Sequence, residues 1–312
     1  MRFENLDTSH RRPGLLNVLR WSVVDRLLRR RKPCPPGPPA DSIAPDLALI
    51  HQPHGPPRLT WLGHASLLGC LDNQSFLVDP VFSPRIGLFY PRYAPPGLAA
   101  EQLPAIDCLL VTHNHYDHLD RRSVEQLDRN LTVIAPAGLG RWFFRFGFAR
   151  IVELNWWEEA TVGGLHVTSV PARHWSHRRP GDINKSHWCG YVIKGAGVSI
   201  YHAGDTAAFD GFQQIAARFP ELDAALVPIA GYEPNWFMRH NHLDPEEAGA
   251  AFQHLNPRLC IPIHWGTFQM TDESLREPVD RLRKWWLSQT SLAPQQLQVL
   301  AIGQTLRLDT QT

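Results

Sequence analysis

The chain reads first as a series of short apolar runs, many of which stop at a histidine or an aspartate. Residues 59–62, 66–71, 76–78, 108–111, 131–135, 165–170, 199–202, 224–229 and 259–263 are each short and rich in aliphatic residues. Runs of that length predict buried strands rather than helices. Residues 123–128 and 210–219 predict helices between them. A third helix start is written plainly in Asp244-Pro245-Glu246-Glu247: an aspartate N-cap, proline at the first helical position and acids in the first turn. That helix is expected to run to about His254. The order of strands and helices predicts an α/β fold.

The polar residues that end these runs carry the chemistry. Behind the strand at 108–111 comes Thr112-His113-Asn114-His115-Tyr116-Asp117-His118. His113 and His115 are two apart, so on extended backbone they face the same way. Asp117 and His118 follow where the chain turns, within reach of a second ion. Later runs end similarly: His174 follows 165–170, Asp205 follows 199–202, and His264 closes 259–263. Imidazole and carboxylate are preferred zinc ligands. In open α/β sheets, sites gather at the carboxyl ends of strands. A merely solvated histidine loop would give no reason to crowd four such groups together.

Composition adds limits. The 312 residues are 43% hydrophobic and 20% charged, ordinary for a globular protein. Five scattered cysteines without a C-x-x-C pair argue against a disulfide framework and for a reducing, cytoplasmic setting. The net charge of +1 conceals a split. Residues 1–32 hold nine Lys/Arg against Glu4, Asp7 and Asp25, a net +6, which leaves −5 for the rest. Residues 15–32 also follow helical spacing through Leu15, Leu16, Val18, Leu19, Val23 and Leu27. This basic arm is read either as lying on an anionic membrane surface, peripherally on its inner face, or as packing on the body. Arg11-Arg12 make a poor twin-arginine signal beside Pro13-Gly14. Residues 33–57 contain nine prolines and predict an extended linker, a tether or a strap over the body. The compact domain is expected over 58–312.

The run at 113–118 is an H-x-H-x-D-H signature, and with it the chain resembles the metallo-β-lactamase superfamily. Further strings resemble its N-acyl-phosphatidylethanolamine-hydrolysing phospholipase D branch. They are Thr60-Trp61-Leu62-Gly63-His64-Ala65, Phe76-Leu77-Val78-Asp79-Pro80, His174-Trp175, Ala203-Gly204-Asp205-Thr206, Tyr232-Glu233-Pro234-Asn235-Trp236-Phe237-Met238, His242-Leu243-Asp244-Pro245-Glu246-Glu247-Ala248 and Ile263-His264-Trp265-Gly266-Thr267-Phe268. The resemblance implies an αβ/βα four-layer sandwich, two mixed β-sheets between helix layers.

It also implies two Zn²⁺ ions, with other divalent metals such as iron or manganese open. One ion would take His113, His115 and His174; the other would take Asp117, His118 and His264; Asp205 would bridge them. Two metals ~3.5–4 Å apart share and acidify one hydroxide, the implied nucleophile. Asp117 is implied to orient it or move protons. His242 resembles a substrate-contacting, catalytic histidine, or else caps the helix behind it, and Tyr116 resembles a headgroup contact. Asp79 is implied to stand near the site. His64 and His202 are read as partners of ligands or as satisfied core histidines; His166 and His254 as core; His10, His51 and His54 as solvated.

The implied reaction cleaves N-acyl-phosphatidylethanolamine to phosphatidate and N-acylethanolamine. Two alternatives stay open: a zinc hydrolase of another ester, lactone or phosphodiester, and a non-catalytic, metal-stabilised protein associated with a membrane. Residues 82–98 and 175–188, with Arg85, Arg92, His177, Arg178, Arg179 and Lys185, are expected to border a cleft for a phospholipid-like or other small anionic substrate. The negative catalytic domain speaks against nucleic acid as a partner.

Overall fold

A computed structural model describes residues 2–7, 14–28, 30, 33–52 and 54–308. The described strands are, in chain order, β1 (Arg58–Gly63), β2 (Ser66–Leu71), β3 (Gln74–Val78), β4 (Arg85–Ile86), β5 (Tyr90–Pro91), β6 (Cys108–Leu110), β7 (Thr132–Pro136), β8 (Arg150–Leu154), β9 (Glu159–Val162), β10 (Leu165–Val170), β11 (Gly190–Gly195), β12 (Val198–His202), β13 (Ala224–Pro228), β14 (Leu259–Ile263) and β15 (Thr305–Arg307). They form a seven-stranded sheet in the order β15-β1-β2-β3-β6-β7-β8, a six-stranded sheet in the order β14-β13-β12-β11-β10-β9 and a separate β4–β5 hairpin. Both large sheets are mixed: β3, β6, β7 and β8 run parallel, as do β12, β13 and β14.

Period-two alternation sorts the first sheet's side chains into two cores. Leu59, Trp61, Leu67, Phe76, Val78, Leu110 and Ile134 face the second sheet and pack with Val167, Tyr191, Ile193 and Ile200. Their neighbours Leu62, Leu68, Leu77, Leu109, Val111 and Val133 face the other way, against Val124, Leu127 and Phe143 of the outer helical layer. Beyond the second sheet, helix Pro245–Leu255 packs on β13, and helix Glu277–Ser288 packs on that helix. The outcome is the four-layer sandwich.

Some elements differ from the sequence expectation. The helix expected over 123–128 starts earlier, at Arg121–Val124, because Asp120 caps it through the Ser123 N–H. His166 and His254 are exposed, not core. His166 alternates with the buried Leu165 and Val167, so its side chain leaves the sheet on the other face. His254 sits in the last helical turn, where a cation favours the dipole. The described part of the arm is helical at Leu15–Leu19 and Asp25–Leu27, with a wider π turn at Arg20–Val24 between. It lies on the body through Trp21, which stacks on Phe237 at 5.1 Å. His10, Arg11, Arg12, Arg29, Arg31 and Lys32 lie outside the described residues. The proline-rich segment is strapped down: Cys34 N–H donates to Asp272, Ala40 N–H to Gly266, and Ile43 N–H to Ile302. No described helix is long and apolar enough to cross a membrane, and the five cysteines are free.

Helix Pro245–Leu255 begins three residues after His242 and is fixed by a reciprocal cap. Asp244 accepts the Glu247 N–H at 2.8 Å, and Glu247 accepts the Asp244 N–H at 3.1 Å. Asp244→Ala is expected to cost about 1 kcal/mol, read as a lower denaturation midpoint at unchanged slope.

Candidate metal centre

The seven residues singled out as ligands converge. His113, His115, Asp117 and His118 come from the loop after β6; His174, Asp205 and His264 follow β10, β12 and β14. Their ligand atoms form two groups. In the first, the His113 Nε2 and His174 Nε2 lie 2.9 and 3.2 Å from His115 Nδ1. In the second, Asp117 Oδ2 lies 3.5 Å from both His118 Nε2 and His264 Nε2. Asp205 stands between. Its Oδ2 is 3.8 Å from His113 Nε2 and 3.7 Å from His174 Nε2, while its Oδ1 is 3.2 Å from His118 Nε2 and from His264 Nε2.

This donor set fits metal. Three imidazole nitrogens aimed at one point cannot all be satisfied by one another's protons. His118 Nε2, His264 Nε2 and Asp205 Oδ1 are buried without a hydrogen-bond partner, which is costly unless a cation or water serves them.

Outer hydrogen bonds choose which nitrogen points inward. Asp79 takes the Nδ1 side of His118 at 2.7 Å. The Thr112 hydroxyl lies 3.0 Å from His113 Nδ1, and the Asn241 carbonyl 2.9 Å from His174 Nδ1. Asp79 is itself held by the Thr112 N–H at 2.8 Å and hydroxyl at 2.6 Å. His64 proves a partner rather than a bystander: its Nε2 lies 3.2 Å from Asp117 Oδ2, and its carbonyl accepts the His264 N–H at 3.0 Å. His202 is structural, with Nε2 3.0 Å from the Ala65 carbonyl. Asn5 went unnoticed in the sequence. It donates to the His174 carbonyl at 2.8 Å and accepts the His174 N–H at 3.1 Å. Nothing in a lone asparagine near the start marks such a role.

Asp79, His64 and His264 hold φ of 44°, 53° and 66°. Non-glycine residues rarely adopt that left-handed region, and they persist there only when neighbours over-determine them. Here the bonds just described do so.

The site's electrostatics are divided. Burial pushes His113 and His174 well below the ordinary imidazole value, and His115 to about 4. Burial opposes protonation of His264 and His118 too, but Asp205 and Asp117 outweigh it. They hold His264 at about 9 and His118 well above its usual value. Asp117 and Asp205 are held far down: burial raises them, and the neighbouring imidazoles more than reverse it.

The centre floors a cavity of about 180 Å³. His115, Asp117, Asp205, His242 and His264 line it at the ligands; along residues 268–278, Phe268, Met270, Leu275 and Pro278 line it interleaved with the polar Gln269, Thr271, Glu273 and Ser274. His242 faces it with Nδ1 3.8 Å from Asp205 Oδ2 and without a hydrogen-bond partner. Gly231, at φ 92°, lets the chain pass close to that ring; a Cβ there would lie 3.0 Å from His242 Nδ1. Tyr116 is not among the lining residues. Its hydroxyl donates to the Arg178 carbonyl at 2.9 Å, and the Arg178 guanidinium lies 4.2 Å over its ring. Arg178 thus ties the 175–188 stretch to the metal loop, but no residue of 82–98 or 175–188 lines the cavity.

Residues 74–265 match the beta-lactamase superfamily domain. The chain belongs to the metallo-β-lactamase superfamily. It is 35% identical over 295 residues to N-acyl-phosphatidylethanolamine-hydrolyzing phospholipase D 1 of Caenorhabditis elegans, covering 88% of this chain and 82% of that one. It is 34% identical to the mitochondrial enzyme of that name from Saccharomyces cerevisiae, over 72% of this chain and 50% of that one. The fold is shared with Igni18, a metallo hydrolase from Ignicoccus hospitalis, at TM-score 0.61, 22% identity, and 82% and 99% coverage. It is also shared with an isothiocyanate hydrolase from Delia radicum gut bacteria, at TM-score 0.64, 20% identity, and 80% and 98% coverage. The chain is thus a metal-dependent hydrolase of this superfamily.

Two outcomes follow for metal binding. Metal must displace the protons held on His118 and His264, so affinity at that group should climb from pH 6 toward 9, by about tenfold per unit for each proton displaced. Titration against a chromophoric chelator reads this. His64→Leu should weaken the same group roughly 10- to 100-fold, while His64→Gln, which keeps a donor toward Asp117, should recover most of the loss.

Proposed function

We propose that the protein is a binuclear zinc-dependent phosphodiesterase of phospholipase D type, cleaving N-acyl-phosphatidylethanolamine to phosphatidate and N-acylethanolamine. The observation that carries this reading is Asp205, one oxygen turned to each ligand group, at the floor of a cavity. The named relatives at 34 and 35% identity support the lipid substrate. His113, His115 and His174 would hold one ion, Asp117, His118 and His264 the other, and Asp205 both. Two such ions supply an acidified water and neutralise charge on the phosphoryl group.

The chain's own residues do the rest. Asp117 Oδ2, steadied by His64, is placed to accept a proton or hydrogen bond beside the reacting water. His242, pushed down to about 4 by burial, is neutral at neutral pH. It can therefore donate one N–H to a phosphoryl or leaving-group oxygen without adding charge. Met238, Phe268 and Met270 give the cavity apolar contacts beside its polar lining. A complete ligand set opening on a cavity also favours catalysis over a purely structural metal, which four protein ligands normally close.

Metal-assayed protein should cleave N-acyl-phosphatidylethanolamine in preference to a simple phosphodiester or a lactone, and His115→Ala should abolish turnover. His242→Ala should keep its metal and lose on the order of 10²-fold in kcat/KM. Full metal with cleavage of the lactone alone would discard the lipid reading and keep a hydrolase.

A further inference from the structure

Of the three histidines in the first ligand group, His174 alone comes from outside the loop after β6. It stands beyond the end of β10, where the ladder to β11 has already stopped at Val170 and Gly190. The residue is fully buried, so its peptide N–H and carbonyl need partners from elsewhere in the chain. Asn5 supplies both. Its Nδ2 donates to the His174 carbonyl at 2.8 Å, and its Oδ1 accepts the His174 N–H at 3.1 Å. A carboxamide carries a donor and an acceptor side by side, and here it stands in for a missing neighbouring strand. The Trp188 indole N–H also donates to Oδ1, at 3.1 Å, and so fixes which way round the amide sits.

Asn5 is held in its turn by residues two positions away on either side. The Phe3 N–H donates to the Asn184 carbonyl at 2.8 Å, Asn184 Nδ2 donates back to the Phe3 carbonyl at 3.2 Å, and the Phe3 ring stacks on His187 at 4.4 Å. Asp7 Oδ2 lies 3.8 Å from the Arg173 guanidinium. Glu4 and Leu6, between them, are exposed. Alternate residues of one extended segment thus face the stretch 173–188. The grip falls on the first group. In the second, Asp79 steadies His118, and His64 steadies Asp117 and His264.

We infer that Asn5 is a positioning residue for metal, and that segment 2–7 acts through it as a clamp keeping His174 turned to the first group. The Asn241 carbonyl at Nδ1 sets the rotation of the His174 ring but not the path of its backbone. Without the clamp, a buried N–H and a buried carbonyl lose their partner. The peptide then shifts to recover one, and Nε2 leaves the point it shares with His113 and His115. This rests on the binuclear grouping of the ligands and not on the substrate.

The test reads metal rather than turnover. Two full-length backgrounds isolate the groups: His264→Ala removes a ligand of the second, His115→Ala one of the first. Zinc affinity is measured in each by competition with a chromophoric chelator, with circular dichroism as the check on folding. Adding Asn5→Ala should weaken the ion held in the His264→Ala background roughly 10- to 100-fold and leave the His115→Ala background unchanged. Asn5→Asp keeps the acceptor but turns a carboxylate oxygen to the His174 carbonyl, and should do no better than Asn5→Ala. Asn5→Gln keeps donor and acceptor and should recover part of the loss. Glu4→Gln, on the exposed face, should alter neither background. A merely structural role would weaken both backgrounds alike, and that result overturns the inference. Undiminished affinity of H264A/N5A overturns it too, as does Asn5→Asp binding as tightly as Asn5. Failure of the binuclear reading looks different: the His115→Ala background binds no ion even with Asn5 in place, while Asn5→Ala still weakens the His264→Ala background.

Discussion

Everything at this site answers to one constraint: five imidazoles and two carboxylates turn their electron pairs toward each other inside protein. Water is scarce there, so the ordinary remedy of solvation is lost. Protons can quiet only part of the conflict, on His118 and His264, and they leave three imidazoles facing one another without donors enough. Cations resolve it all at once. Asp79, Thr112 and Asn241 settle which ring nitrogen of His118, His113 and His174 faces inward, and Asn5 holds the His174 backbone in place.

The fold supplies the rigidity that this crowding requires. Asp79, His64 and His264 sit in a backbone region that side chains disfavour, and each is held from at least two directions. His64 joins the two halves most directly. Its side chain reaches Asp117 from the first sheet's loop, its carbonyl takes the N–H of His264 from the second sheet, and its own N–H donates to Thr267 at 2.8 Å. A shift in either sheet would therefore move both ligands together.

The strands, their ends and the ligands were legible because burial and metal chemistry leave strong local marks. An apolar run that halts at histidine or aspartate needs no partner to be seen. Period two also contained the right answer for His166: with Leu165 and Val167 inward, it had to face out. What local pattern cannot carry is contact across distance. Asn5 meets His174 across 169 positions, and His64 meets Asp117 across 53. The bare stripe on the arm was visible as periodicity, but periodicity does not say that Trp21, off that stripe, makes the contact with the body.

The ligands come from different sheets, and this dictates an order of assembly. His113, His115, Asp117 and His118 emerge from a ribosome together, His174 some sixty residues later, and Asp205 and His264 later still. The group built on His113, His115 and His174 is therefore complete, apart from the shared carboxylate, long before its neighbour. The second group cannot close until β14 has been made and laid beside β13. Closure of that group therefore records the placing of β14, the last of its strands, beside the rest of the second sheet.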